Sequence, residues 1–111
     1  MNGKPRLIRK YANRRLYDTV QSRYVNLNDV RNLIISGKYV RVEDQATKRD
    51  ITNSILLQII GSLEPESGPL LSSDILTDLI RTGATSQDPT LAIRLQQACR
   101  SVLNGNSALS A

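Results

Sequence analysis

The sequence predicts an α+β fold: a small N-terminal domain of short antiparallel strands and two helices, followed by a two-helix C-terminal module. Three observations predict it. The first 50 residues combine short alternating apolar runs with one strongly signalled helix. From Thr52 onward, apolar residues recur only at helical spacing. Between the second and third helical stretches, Glu64-Pro65-Glu66-Ser67-Gly68-Pro69 places two prolines and a glycine in six residues, which reads as a linker. The expected organisation is a domain at 1–64, a linker at 65–69, a helical module at 70–105 and a frayed tail at 106–111.

Arg6 to Tyr11 and Leu16 to Thr19 read as strands around the polar turn Ala12-Asn13-Arg14-Arg15, with Tyr24 and Val25 as a third short strand. Asn26 caps the first helix and Asp29 completes an approximate capping box, while Val25 and Val30 stand at the positions of a hydrophobic staple. Leu27, Val30, Leu33 and Ile34 form its apolar face, and Gly37 supplies a left-handed stop. Tyr39 to Asp44 alternates Val40 and Val42 against Arg41 and Glu43, a strand with one buried side. Gln45 to Lys48 turns the chain, and Arg49 to Ile51 is placed to pair back as a hairpin. Thr52 is the expected cap of the second helix, with Ile55, Leu56, Ile59, Ile60 and Leu63 on one face. Ser72-Ser73-Asp74 caps the third, which carries Ile75, Leu76, Leu79 and Ile80 and stops at Gly83. The fourth takes Asp88 as cap, Pro89 at its first position and Gly105 at its end. Its stripe is Leu91, Ala92, Leu95, Ala98, Cys99, Val102 and Leu103, with Cys99 expected as a small buried hydrophobe.

Composition narrows the function. With no His and one Cys among 111 residues, neither a Ser-His-Asp or Cys-His triad nor a Cys/His zinc site can be built within one chain. No enzyme, metal site or cofactor is expected. Lys4 to Tyr11 is basic but no apolar stretch follows it, and no apolar run exceeds three residues, as at Leu33–Ile35 and Ile55–Leu57. Neither a secretory signal nor a membrane span is expected, and the location expected is cytoplasmic. Residues 1–50 hold 12 basic and 5 acidic side chains, net +7; residues 51–111 hold 3 and 5, net −2. All four tyrosines are in the first half. A basic, Tyr-containing half joined to a mildly acidic aliphatic half suggests one polyanion-facing and one partner-facing task.

The segment with the densest chemistry runs from Arg9 to Thr19. Arg offers a planar fork to phosphate or to the guanine edge, Asn can bond adenine bidentately, and Tyr hydroxyls can donate to phosphate. A two-stranded ribbon is narrow enough for the major groove. The candidate DNA-contacting residues are Arg9, Lys10, Tyr11, Asn13, Arg14, Arg15, Tyr17 and Arg23. The other reading of the same residues is a solvated hairpin in which Asp18 pairs one arginine. For the second module, candidate polymer- or partner-contacting residues are Ile75, Leu76, Leu79, Ile80, Leu91, Leu95, Val102 and Leu103, which would equally serve as a dimer core.

Leu7-Ile8-Arg9-Lys10-Tyr11-Ala12-Asn13-Arg14-Arg15-Leu16-Tyr17-Asp18-Thr19 resembles the bacterial polyhydroxyalkanoate accumulation regulators. The resemblance continues through Ser22-Arg23-Tyr24-Val25 and Leu27-Asn28-Asp29-Val30. It resumes at Val40-Arg41-Val42-Glu43-Asp44, at Asp50-Ile51-Thr52, and at Ile55-Leu56-Leu57-Gln58-Ile59-Ile60. It covers roughly residues 6–64, and Leu70 to Leu76 resembles the start of the family's second module. Lys48 stands where the family hairpin commonly has Gly, and the region after Gly83 follows no family pattern. The resemblance implies a DNA-binding repressor of granule-protein (phasin) and polymer-synthesis genes, released when polymer or a granule surface is bound. The partners it implies are double-stranded DNA and polyhydroxyalkanoate, and self-association is expected from the small core of so short a chain. Two other functions fit the composition. One is a granule-surface interaction protein with only non-specific DNA binding, and the other is an RNA-binding module.

Overall fold

The computed structural model describes residues 4–105. The frayed tail expected at 106–111 lies outside the described residues. Two units are present, divided after Leu70.

The first unit contains strands β1 (Arg6–Lys10), β2 (Leu16–Asp18) and β3 (Arg23–Val25), helix α1 (Leu27–Ile35), strand β4 (Val40–Asp44) and helix α2 (Thr52–Ser62). The strands form one sheet in the order β3-β2-β1-β4. The α+β class is as the sequence predicts, but the sheet is mixed: β4 pairs parallel to β1, while β1–β2 and β2–β3 are antiparallel. The reason lies in the connection. β3 is antiparallel to β2 and so runs in the direction of β1; α1 then carries the chain to the opposite edge, where β4 enters in the same sense. The backward pairing expected from Arg49–Ile51 is reduced to a single bridge between Glu43 and Asp50.

Alternation sets the two faces of the sheet. Ile8, Leu16, Val25 and Val42 point inward and join Val30 of α1 and Ile55 and Ile59 of α2 in one buried aliphatic cluster. Ile60, expected on the buried face, is exposed. α1 begins as its residues dictate. The Asn26 side chain accepts from the Asp29 N–H at 2.7 Å, and the Asp29 carboxylate accepts from the Asn26 N–H at 3.0 Å. Gly37 follows the helix at φ +101°. α2 departs from expectation, because Thr52 does not cap it. Asp50 accepts both the Thr52 N–H and hydroxyl, and the hydroxyl accepts the Val42 N–H at 2.9 Å, fastening the helix start to β4.

The second unit contains α3 (Ser73–Thr85) and α4 (Leu91–Leu103). Ser72 caps α3 by accepting from the Ile75 N–H. The helix runs through Gly83 to Thr85, so Gly83 does not stop it; a glycine inside a helix costs about 1 kcal/mol, less than the loss of a hydrogen-bonded turn. α4 starts two residues later than the sequence predicts. Asp88 takes the Thr90 N–H and hydroxyl in a turn ahead of the helix instead of capping it at Pro89. Within this unit α3 and α4 do not pack on each other, and neither has a buried side chain. Cys99 is accordingly exposed, not buried.

Candidate nucleic-acid interface

The β1–β2 turn is built by local hydrogen bonds. The Asn13 carboxamide oxygen accepts from the Arg15 N–H at 3.0 Å, the Tyr11 carbonyl from the Arg14 N–H at 2.8 Å, and the Arg15 carbonyl from the Tyr11 N–H at 2.9 Å. Arg14 takes the left-handed conformation, φ +66°, at the exposed tip. Asn13 thus spends its acceptor on the turn, which gives it a structural task beside any contact with a base.

The face of the sheet away from the aliphatic core carries three of the four tyrosines. Register places Glu43, Arg9, Tyr17 and Tyr24 in one row across all four strands. Tyr17 and Tyr24 meet edge-to-face with ring centres 5.3 Å apart. Tyr11 meets the same two rings at 6.1 and 6.5 Å. The Arg15 guanidinium lies over the Tyr24 ring, 4.0 Å from its centre. Arg9 is partly buried in this row, and its Nε is buried without a hydrogen-bond partner. Six of the eight sequence-derived residues, Arg9, Tyr11, Asn13, Arg14, Arg15 and Tyr17, therefore gather at the turn and on the open face. Lys10 faces the other way. It sits opposite Leu16 and Asp44, and with Arg14 and Arg15 it lines an open cleft beside the start of α1. Arg23 stands apart at the sheet edge, its Nε donating to Gln21.

Asp18 is fully buried, and the arginine it pairs is Arg6, at 2.8 Å. Burial pushes its carboxyl up, but the N–H groups of Gln21 and Val20 and the Arg6 guanidinium outweigh that and hold it below the usual carboxylate value. Arg6 is thereby withdrawn from the surface, while Arg14 and Arg15 keep their charged ends unpaired among the described residues.

Tyr24 is absent from the sequence-derived set. Its signal is the alternation Tyr24/Val25, but its place beside Tyr17 and under Arg15 follows only from register between strands. In the second unit, Ile75, Leu76, Leu79, Ile80, Leu95, Val102 and Leu103 are all exposed and Leu91 half-exposed. Among the described residues no three His, Cys, Asp or Glu side chains form a metal-ligating group, and no helix is long and apolar enough to cross a membrane.

Residues 7–67, more than half the chain, match the PHB/PHA accumulation regulator DNA-binding domain. The chain belongs to this family. Membership supports a regulatory DNA-binding role for the first unit, where the cationic turn and the tyrosine face lie. An uncharacterized protein of Allochromatium vinosum is 50% identical over 95 residues, covering 84% of this chain and 61% of its own length. A protein of Thiocystis violacea described as lying in the phbA 5′ region is 54% identical over 78 residues, covering 68% of this chain and 55% of its own. The chain thus spans between half and two thirds of the length of these curated relatives. No solved structure matches it.

Proposed function

We propose that this chain is a transcriptional repressor of polyhydroxyalkanoate granule-protein and polymer-synthesis genes that grips duplex DNA with the β1–β2 hairpin. The observation that carries the reading is the turn itself: adjacent arginines closing it, free of ion pairs among the described residues, on a backbone fixed by three hydrogen bonds. Arg9, Lys10, Tyr11, Asn13, Arg14, Arg15, Tyr17 and Arg23 form the contact region, with Lys10 and Arg14 supplying most of the phosphate attraction. Family membership and the phbA 5′ region description of a relative support the regulatory context. The protein acts in the cytoplasm, on the nucleoid and at the granule surface. The unburied apolar stripes of α3 and α4 support a second task, self-association or adhesion to the polyester, and polymer binding would shift the population toward a form poor at holding DNA.

The test is binding of the full chain to duplexes from upstream of polymer-synthesis genes and to scrambled duplexes, with and without amorphous polyhydroxybutyrate. Preference for the promoter duplex, weakened by polymer, supports repression with release. Equal binding to both duplexes would leave a granule-surface protein with non-specific DNA affinity, and tighter binding to single-stranded RNA would favour an RNA-binding module.

A further inference from the structure

Arg14 and Arg15 are neighbours in sequence, yet the fold prepares them for different tasks. Arg14 sits in the left-handed conformation in the turn, exposed, with no hydrogen bond or ion pair from its side chain among the described residues. Arg15 has its N–H held by Asn13, its carbonyl held by Tyr11, and its guanidinium laid on the Tyr24 ring. Tyr24 is itself fixed, edge-on to Tyr17 and Tyr11 and next in sequence to the buried Val25. A cation–π contact draws a guanidinium to a ring without using its N–H donors in hydrogen bonds to other groups. Among the described residues the Arg15 side chain makes no hydrogen bond and no ion pair. A planar fork drawn over an aromatic ring, with its N–H donors free, suits the paired acceptors O6 and N7 of guanine. Phosphate contact needs no such orientation and is served by a mobile cation.

We propose that Arg15 reads a guanine edge in the major groove, that Tyr24 is the positioning residue that orients its guanidinium, and that Arg14 contacts phosphate. This rests on the hairpin being the DNA-contacting element, as proposed above, and it assigns specificity and affinity to separate side chains within it. The row that supports Tyr24 explains why three tyrosines share an open sheet face: they form a rigid shelf under one arginine.

The experiment uses the full chain and a duplex selected from a random library by the wild-type protein, with a scrambled duplex as reference at one salt concentration. The ratio of the two affinities is measured for Arg15→Lys, Tyr24→Leu, Tyr24→Phe and Arg14→Ala. Arg15→Lys and Tyr24→Leu are expected to lower the ratio about tenfold or more, Tyr24→Phe to retain it, and Arg14→Ala to weaken both duplexes alike. Replacing one guanine by 7-deazaguanine should weaken wild-type binding at a single position and leave the Arg15→Lys variant unaffected there. Arg15→Lys, an exposed change, poses no folding question, and thermal unfolding checks Tyr24→Leu. Equal weakening of both duplexes by Arg15→Lys, or an unchanged ratio in folded Tyr24→Leu, overturns the assignment while leaving hairpin binding intact. A wild-type chain that selects no sequence overturns base reading altogether, and one whose affinity ignores both arginines overturns the hairpin as well.

Discussion

Asp18 lies at the far end of the hairpin from Arg14 and Arg15, with no solvent exposure. Its carboxylate accepts from the Val20 N–H at 2.8 Å, the Gln21 N–H at 3.2 Å and Arg6 at 2.8 Å, so it closes the β2–β3 turn and ties it to β1. Since these donors hold its folded carboxyl below the unfolded value of about 3.9, its stabilisation is fully present above that value. It is lost as pH falls through the lower, folded one. Removing one partner of a buried pair costs about 3–5 kcal/mol, so Asp18→Asn should lower the unfolding free energy by about that much near pH 7. Urea unfolding at several pH values checks it: the gap between wild type and variant should narrow as pH drops from 5 toward 3. A gap that stays constant over that range would mean that the carboxylate charge is not what stabilises the turn.

At the scale of single elements, Lys48 gives the next prediction. It adopts φ +64° in the turn after β4, a conformation costing an L-residue about 1–2 kcal/mol, and it is the position where the resemblance expects Gly. Lys48→Gly should raise stability by about 0.5–1 kcal/mol, the gain being reduced by the greater freedom of Gly in the unfolded chain. An unchanged or lower melting temperature would show that the side chain contributes more than its backbone costs. Where an element's cause is local, it was legible in the sequence: Asn26, Asp29 and Gly37 mark the two ends of α1 as found, and the strands up to β3 fall within one or two residues of their expected limits. The parallel entry of β4 was not legible, because direction is set by a crossover that no local residue encodes. Thr52 looks like a cap until β4 is beside it and claims its hydroxyl. The same limit applies to the candidate interface. The cations and tyrosines could be read directly, but the pairing of Asp18 with Arg6 and the stacking of Arg15 on Tyr24 join residues 12 and 9 positions apart and needed the register.

For the whole molecule, the two units imply a division of labour. A fragment of residues 1–70 holds the entire buried aliphatic cluster and the turn, so it should fold and keep DNA binding, weakened if α3 and α4 hold protomers together. Circular dichroism and gel-shift titration check this, and a folded fragment that fails to bind even when artificially dimerised would refute the division. Leu79→Asp and Leu95→Asp should abolish polymer binding if the α3 and α4 stripes meet polyester, with DNA affinity and oligomeric state unchanged; loss of the dimer together with DNA binding would make the stripes an assembly core instead. The central claim is that the cationic hairpin grips duplex DNA, and salt dependence tests it most directly. Lys4, Lys10, Arg14 and Arg23 are exposed or half-exposed and form no ion pair among the described residues, whereas Arg6 is committed to Asp18. Roughly four phosphate contacts at about −0.9 each predict a slope of log K against log salt near −4 per protomer. The Arg14→Ala, Arg15→Ala double variant should bind at least tenfold more weakly and with a shallower slope. A wild-type slope shallower than about −2, or wild-type affinity in the double variant, would contradict it.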